Sequence, residues 1–306
     1  MVGSLCLLLA LLIGLRRATE TRGTIPPLSA GDRDTVVDGV RWRSRESGGL
    51  RGARDPVIFV HGFLSSSVTW RQVLADAAAG RQAIAVDLPG SGFSDRPWPY
   101  DYTALGQAER LLRYLDVRGL RRVCLVCSSF GGAVCEAVAA ARPDRVAALV
   151  LADAAFPGIA IPIGFRVLRT PVVGDLQIEL LTRPVMAYTL RHRLYARPER
   201  VTQTTVNDWW YPIPVPGTRR AALAAVRMNT RGTERMLEKI RAPTLVLWGK
   251  GDALLEPSQG LALSSAIEGA RFVVMPDVGH LPQEEDPAGF SRTVAEFLKQ
   301  LPEAPQ

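Results

Sequence analysis

Lysine is almost missing from this chain. Only Lys239, Lys250 and Lys299 occur, so arginine carries nearly all of the positive charge. The net charge of +7 could serve an anionic surface or substrate, yet no dense basic block and no nucleic-acid-binding motif accompanies it. The charge reads as an Arg- and Ala-rich composition spread along the sequence, and no nucleic-acid partner is expected. Cysteine is scarce as well: four residues are too few for a disulfide framework in a chain of 306. Cys124 and Cys127 form a C-x-x-C, but redox motifs of that form open a helix. Here Cys124 falls inside a predicted strand, where residues three apart point to opposite faces. The pair reads as two small buried side chains. Histidine is limited to His61, His192 and His280. Neither a metal-binding cluster nor a dinucleotide fingerprint is visible, so no metal and no cofactor is expected. Internal repeats and low-complexity segments are also lacking.

What is present is an ordinary globular composition, with 47% hydrophobic and 22% charged residues. The length suits one large domain or one domain with an insert. The N-terminus stands apart. Met1 to Leu15 is nearly all apolar and ends in Arg16-Arg17. A spanning helix needs about 20 apolar residues, with a lower limit near 17. A signal peptide puts positive charge before the apolar run and a small-residue cleavage site after it. This segment has its arginines on the far side, which favours a cytoplasmic C-terminal flank. Residues 1–17 therefore read as a hydrophobic anchor or a signal-like export segment. Either membrane association through residues 1–15 or export is expected; a misplaced start codon would instead make the protein cytoplasmic. Cys6 comes too early for a lipoprotein signal. Residues 18–34 read as a polar linker.

Beyond the linker, Thr35-Val36-Val37 and Val40-Arg41-Trp42 flank Asp38-Gly39, a hairpin signal. Short apolar runs occur at 56–60, 82–86, 123–126 and 146–151. Helical stretches intervene at 68–79, 102–115 and after residue 129 as far as Arg142-Pro143. Strands alternating with helices predict an α/β fold, a mostly parallel sheet with helices on both faces. From 154 to 241 the alternation stops, and helical stretches rich in proline and aromatics take over. It resumes with strands at 243–248 and 271–275, a helix near 259–266 and a last helix at 288–298. The expected architecture is an eight-stranded sheet with a helical cap, residues 154–241, inserted after the sixth strand. The core is then 35–153 plus 242–301.

In open parallel sheets ligands bind beyond the carboxyl ends of the strands. In this chain those ends are followed by His61-Gly62-Phe63, Asp87, Ser128-Ser129, Asp153, Asp252 and His280. A serine hydroxyl becomes a nucleophile when a base takes its proton. His192 lies in a basic helical stretch and reads as solvated. His61 precedes a glycine and reads as a structural hydrogen-bonder. Elimination leaves His280 as the base. The acid that orients it is Asp252 or its rival Asp153, with Glu256 third.

The order of serine, acid and histidine, with the serine on a strand-turn-helix, resembles the α/β-hydrolases, in their serine-nucleophile esterase- and lipase-like branch with a helical lid. The resemblance spans about Thr35 to Leu301. It rests on His61-Gly62-Phe63, Asp87-Leu88-Pro89-Gly90-Ser91-Gly92, the turn Cys127-Ser128-Ser129-Phe130-Gly131-Gly132, Gly249-Lys250-Gly251-Asp252, and Gly279-His280 followed by Glu284 and Asp286-Pro287. The family's elbow reads small-x-nucleophile-x-small-small. Setting Gly131-Gly132 on the last two positions makes Ser129 the nucleophile. Cys127 then departs from the usual glycine. With Ser128 as nucleophile, Phe130 would fill a position that must be small.

The resemblance implies a catalytic triad of Ser129, Asp252 and His280, with Asp153 as the alternative acid. It also implies an oxyanion hole made by the backbone N–H groups of Phe63 and Phe130. Asp87 matches a position that is not catalytic. An aspartate nucleophile would suggest haloalkane or epoxide chemistry, and Ser129 argues against both. The expected activity is cleavage of a carboxylic ester of a mainly apolar small molecule, medium-chain or aromatic, through an acyl-enzyme. The alternatives are a carbon–carbon bond hydrolase of ring-cleavage products, a lactonase, or a non-catalytic ligand-binding protein with the same fold.

Overall fold

The computed structural model describes residues 23–48, 54–227 and 235–301. The expectations for residues 1–17, and for the linker as far as residue 22, lie outside them. Among the described residues no helix is long and apolar enough to cross a membrane.

Eight strands form one sheet: β1 (Asp32–Val37), β2 (Val40–Ser47), β3 (Val57–Val60), β4 (Ala83–Val86), β5 (Val123–Ser128), β6 (Val146–Ala152), β7 (Thr244–Gly249) and β8 (Arg271–Met275). Their order across the sheet is β1-β2-β4-β3-β5-β6-β7-β8. The first two pair antiparallel, and everything from β4 to β8 is parallel. Strands β3 to β7 are buried at every residue, because helices cover both faces of the sheet. That double burial is why they appear in sequence as unbroken apolar runs.

After the β1–β2 pair the chain runs through β3, steps out to β4, then crosses back over β3 to β5. The strand order therefore reverses at the β3–β5 boundary, the place where a crevice opens at the carboxyl ends of the strands. The loop after β3 carries Phe63, and the turn after β5 carries Ser129.

Helices α1 (Ala104–Val117) and α2 (Phe130–Ala141) pack side by side on one face of the sheet. Between β6 and β7 lie the cap helices α3 (Ile163–Leu168), α4 (Val173–Glu179), α5 (Arg183–Thr189), α6 (Gln203–Trp210) and α7 (Thr218–Arg227), with no strand among the described residues. The core closes with α8 (Pro257–Ala266) and α9 (Pro287–Lys299). Residues 154–241 hold fourteen of the 37 Lys and Arg and only six of the 30 Asp and Glu, so the net positive charge resides in the cap and is not spread along the chain.

Three local expectations need correction. The linker ends sooner than residue 34, because β1 begins at Asp32. Asp32 and Asp34 stand opposite Arg45 and Arg43 and pair with them, so charge rather than apolar alternation holds this end of the strand. The 68–79 stretch is two short helical turns, Ser67–Trp70 and Leu74–Ala77, not one helix. Cys127 is not a free buried thiol: it forms a disulfide with Cys135, leaving Cys124 free. Cys135 lies on the second turn of α2, which doubles back over the end of β5. The two Cα atoms come within 6.6 Å, inside disulfide reach.

Glu136, the next residue on α2, is fully buried, and neither carboxyl oxygen has a hydrogen-bond partner. Burial pushes its carboxyl well above the ordinary 4.5. The folded protein therefore holds this proton where the unfolded chain has lost it. Stability is greatest below the unfolded value and falls as pH rises toward the folded one. Glu136→Gln mimics the protonated acid. Thermal unfolding across pH should show the variant melting several degrees higher at pH 8 and close to wild type at pH 4. Parallel curves would refute this.

Candidate active site

Ser129 sits directly after β5 with φ +51° and ψ −122°. Such a backbone costs an L residue of order 1–3 kcal/mol and needs surroundings that enforce it. Here the Ser129 N–H donates to Ala152 O, and Ser129 O accepts from both Gly132 N–H and Ala155 N–H. A Cβ at Gly131 would stand 2.5 Å from Val60 O, so the helix can start this close to β3 only with glycine there. That fixes the register. Ser128 is the last residue of β5, buried and paired with Ala152, whereas Ser129 is half-buried at the turn.

Asp252 and His280, the residues expected as acid and base, come from the loops after β7 and β8. A Cβ at Gly249 would collide with Gly279 O, so the two loops lie backbone against backbone. Their side chains meet as a result: His280 Nδ1 is 2.7 Å from Asp252 Oδ2. The other Asp252 oxygen accepts from Leu254 N–H and Leu255 N–H at 2.8 and 2.9 Å. Asp252 thus accepts three hydrogen bonds. With Nδ1–H given to Asp252, Nε2 is left as the acceptor. His280 itself is anchored by its N–H to Leu194 O in the cap. Ser129 and His280 border the same cavity, and Ser129 Oγ makes no hydrogen bond among the described residues. Catalytic hydrogen bonds of this kind commonly tighten only when substrate is bound.

Asp153 is fully buried beside this pair, with φ +43°. Its Oδ1 accepts from Gly249 N–H at 2.9 Å, and its Oδ2 has no partner. Burial, and then the charge of Asp252, push its carboxyl well above the ordinary carboxylate range, so it holds its proton. The two acids are thus unlike: one is wired to the histidine and richly donated to, the other is neutral behind it. Ligand atoms of Asp153, Asp252 and His280 lie within 4.8 Å of one another. An Nδ1–H committed to Asp252 and an acid that keeps its proton fit proton sharing better than metal coordination.

The other two histidines sit as the sequence suggests. His61 is buried, its Nδ1–H toward Gly62 O at 2.7 Å and its Nε2 accepting from Leu88 N–H at 3.1 Å. Burial lowers its pKa and keeps it neutral. His192 is exposed beside Tyr188. Asp87 accepts from Ser67 N–H and Phe93 N–H, which ties two loops together away from the chemistry. Phe130 N–H stands at the first position of α2, where no intrahelical acceptor exists. Phe63 N–H follows Gly62, whose Cα packs against Ser129, and has no backbone acceptor among the described residues. These are the two donors an oxyanion could use.

Two cavities flank the serine. The larger, about 420 Å³, includes His280. The smaller, about 230 Å³, runs between α2 and the cap and is walled by Phe130, Ala133, Phe156, Ile159 and Ile161. Both are bordered by Ser129, Phe63, Pro162, Phe165 and Leu254. Phe63 and Phe165 meet edge to face at 5.2 Å. Of the large apolar residues between 154 and 241, Ile159, Ile161, Phe165, Leu180, Leu181 and Trp209 border a cavity. Ile163, Tyr188 and Tyr211 face outward.

Sequence reasoning missed Glu285, and it noted Glu284 only as part of a motif. Glu284 accepts from Thr69 Oγ1, Tyr195 OH and Trp209 Nε1. Glu285 accepts from Gly279 N–H on one oxygen and from Ala196 and Arg197 N–H on the other. Together they fasten the histidine loop to the cap. A pair of adjacent acids shortly after His280 was the available signal.

A strained serine at a strand-helix turn, beside a histidine-carboxylate pair at the same sheet edge, is the layout of a nucleophilic hydrolase. Comparison with known proteins agrees. The family profile described as alpha/beta hydrolase fold matches residues 55–287, and the chain belongs to that family of hydrolases. It is 28% identical over 271 residues to a monoacylglycerol lipase, abhd6-A, of Xenopus laevis, covering 83% of this chain and 78% of the relative. It is 30% identical over 258 residues to a 2-hydroxy-6-oxo-2,4-heptadienoate hydrolase of Pseudomonas putida, covering 81% and 90%. Among solved structures, Cfl2 of Burkholderia cenocepacia superposes with a TM-score of 0.78 at 26% identity, covering 87% of this chain and 95% of that one.

The geometry makes the acids separable. Asp252→Asn should lower ester turnover by about 10³–10⁴-fold, because the histidine loses its orienting charge. Asp153→Asn should cost far less, since the native residue is already neutral. Steady-state kinetics on the two variants decides, and the reverse ranking would reassign the acid.

Proposed function

We propose that the protein is a serine hydrolase that cleaves a carboxylic ester of a mainly apolar small molecule. The observation that carries this is the 2.7 Å His280–Asp252 pair on the wall of the cavity that Ser129 borders. In the proposed reaction, His280 Nε2 takes the Ser129 proton as Oγ attacks the ester carbonyl. The oxyanion draws on the N–H groups of Phe63 and Phe130. The carbon–oxygen bond to the alcohol breaks, and the alcohol leaves with the proton from His280. Water then gives its proton to His280 and its oxygen to the acyl carbon, the bond from that carbon to Ser129 Oγ breaks as Oγ takes the proton back from His280, and the acid departs. The apolar walls of both cavities support an apolar substrate body.

The 30% identity to the 2-hydroxy-6-oxo-2,4-heptadienoate hydrolase supports a second reading, carbon–carbon bond cleavage on the same residues. A panel of p-nitrophenyl esters of graded chain length, run beside a vinylogous diketone, separates the two. Faster turnover of a medium-chain or aryl ester is expected; faster turnover of the diketone would favour the second. A fluorophosphonate probe addresses the third reading, a non-catalytic binder. Labelling should occur in wild type and in Ser128→Ala and vanish in Ser129→Ala. Folded wild-type protein that takes no label would contradict catalysis.

A further inference from the structure

The serine hydrolase reading puts Ser129 and the Phe130 N–H at the centre of the reaction, and one covalent bond encloses both. Cys127 lies two residues before Ser129, in the ladder between β3 and β6, where it stands opposite Val60 and Leu151. Cys135 lies on the second turn of α2. Their disulfide closes a short loop that contains Ser129, Phe130, Gly131 and Gly132. Cys124 cannot take the place of either partner. It packs in the core on the other face of the sheet, and burial pushes its thiol up to about 12.

The fixed end of that loop is β5, which is paired on both sides and buried at every residue. The start of α2 is the end that can shift. It rests on its neighbours with no spare room: a Cβ at Gly131 would stand 2.5 Å from Val60 O, and one at Gly132 would stand 2.4 Å from Ala154 Cβ. The seating of α2 against β5 therefore governs whether Ser129 keeps its positive φ and where the Phe130 N–H points. Hydrogen bonds favour this seating, and the disulfide removes chain conformations that compete with it.

We propose that Cys127 and Cys135 are an oxidative modification site that matures the elbow: with the disulfide formed Ser129 reaches full reactivity, and with both thiols reduced it reacts more slowly. The chemistry needs a disulfide donor such as glutathione disulfide. One cysteine thiolate attacks a donor sulfur, forms a mixed disulfide and releases one glutathione. The thiolate of the other cysteine attacks the protein sulfur of that mixed disulfide, forms the Cys127–Cys135 bond and releases the second glutathione. Two protein thiols are oxidised, one donor disulfide is reduced, and the two cysteine protons end on the released glutathiones. Both cysteines are fully buried in the folded protein, so exchange precedes the packing of α2 on β5, and the finished bond is sealed from reductant. The inference rests on the serine hydrolase reading and adds the condition under which that site is made.

The test starts from the unfolded full-length chain, where reductant reaches the bond. The chain is reduced with dithiothreitol in urea, then refolded with either glutathione disulfide or dithiothreitol. Peptide mapping should find Cys127 joined to Cys135 in the first sample and free in the second. Fluorophosphonate labelling of Ser129 and kcat on a p-nitrophenyl ester should both be about 10–100-fold lower in the reduced sample, the loss expected when reacting groups are misplaced by about an ångström. KM should change far less. Cys135→Ala leaves β5 and the turn untouched. Purified without refolding, it should show the same loss under either thiol condition, and it keeps the question answerable if the reduced chain does not refold. Equal rates in oxidised and reduced protein, full activity in Cys135→Ala, a loss carried by KM, or unjoined cysteines in the active protein overturns the inference and leaves the hydrolase reading standing. So does failure of both the reduced chain and Cys135→Ala to fold, which would make the bond a requirement of the fold instead. Oxidised, folded protein that takes no label at Ser129 overturns both.

Discussion

Ser129 is held on the positive side of φ, and the rest of the site is organised around keeping it there. Its carbonyl takes two N–H donors, and its own N–H is tied to β6. The helix that follows can begin only because Gly131 lets its backbone rest on the β3 carbonyls. The Cys127–Cys135 disulfide spans the same turn, joining the end of β5 to the second turn of α2. A family position usually filled by glycine is here one end of a covalent brace across the elbow. Strain at Ser129 is thus offset by local bonds rather than by the distant core.

The acid pair shows how one fold gives two like residues different chemistry. Asp153 and Asp252 follow neighbouring strands and lie side by side, yet only Asp252 receives donors on both oxygens. Asp153 receives one, is sealed from water, and keeps its proton. Burial first, and then the neighbouring Asp252, keep that proton on Asp153. The histidine loop is in turn tied to the cap through Leu194 O and Glu285. Residues 154–241 therefore do more than border the cavities: they fix the backbone that carries His280.

Much of this was legible in the sequence, for physical reasons. Strands buried on both faces appear as continuous apolar runs, and the residues that follow them mark the sheet edge where Ser129, Asp252 and His280 gather. The start of β1 was not legible, because ion pairs rather than apolar alternation hold Asp32 and Asp34. Neither was the disulfide, since seven residues separate its cysteines and only the fold-back of α2 over β5 brings them together. The polar relay from Gln283 through Thr69 to Glu284 joins positions more than 200 residues apart, a separation that no local pattern encodes. The concentration of positive charge in the cap was readable by segment but hidden in the whole-chain composition.

The most direct measurement is a crystal structure of the protein inactivated by an alkyl phosphonate, whose tetrahedral phosphorus imitates the attacked ester carbon. The phosphorus should be bonded to Ser129 Oγ. The phosphonyl oxygen should stand about 2.7–3.1 Å from the backbone nitrogens of Phe63 and Phe130. His280 Nε2 should have closed to hydrogen-bonding distance of Oγ. An adduct on Ser128, or an imidazole of His280 that stays out of reach of the adduct, would contradict the mechanism at its root.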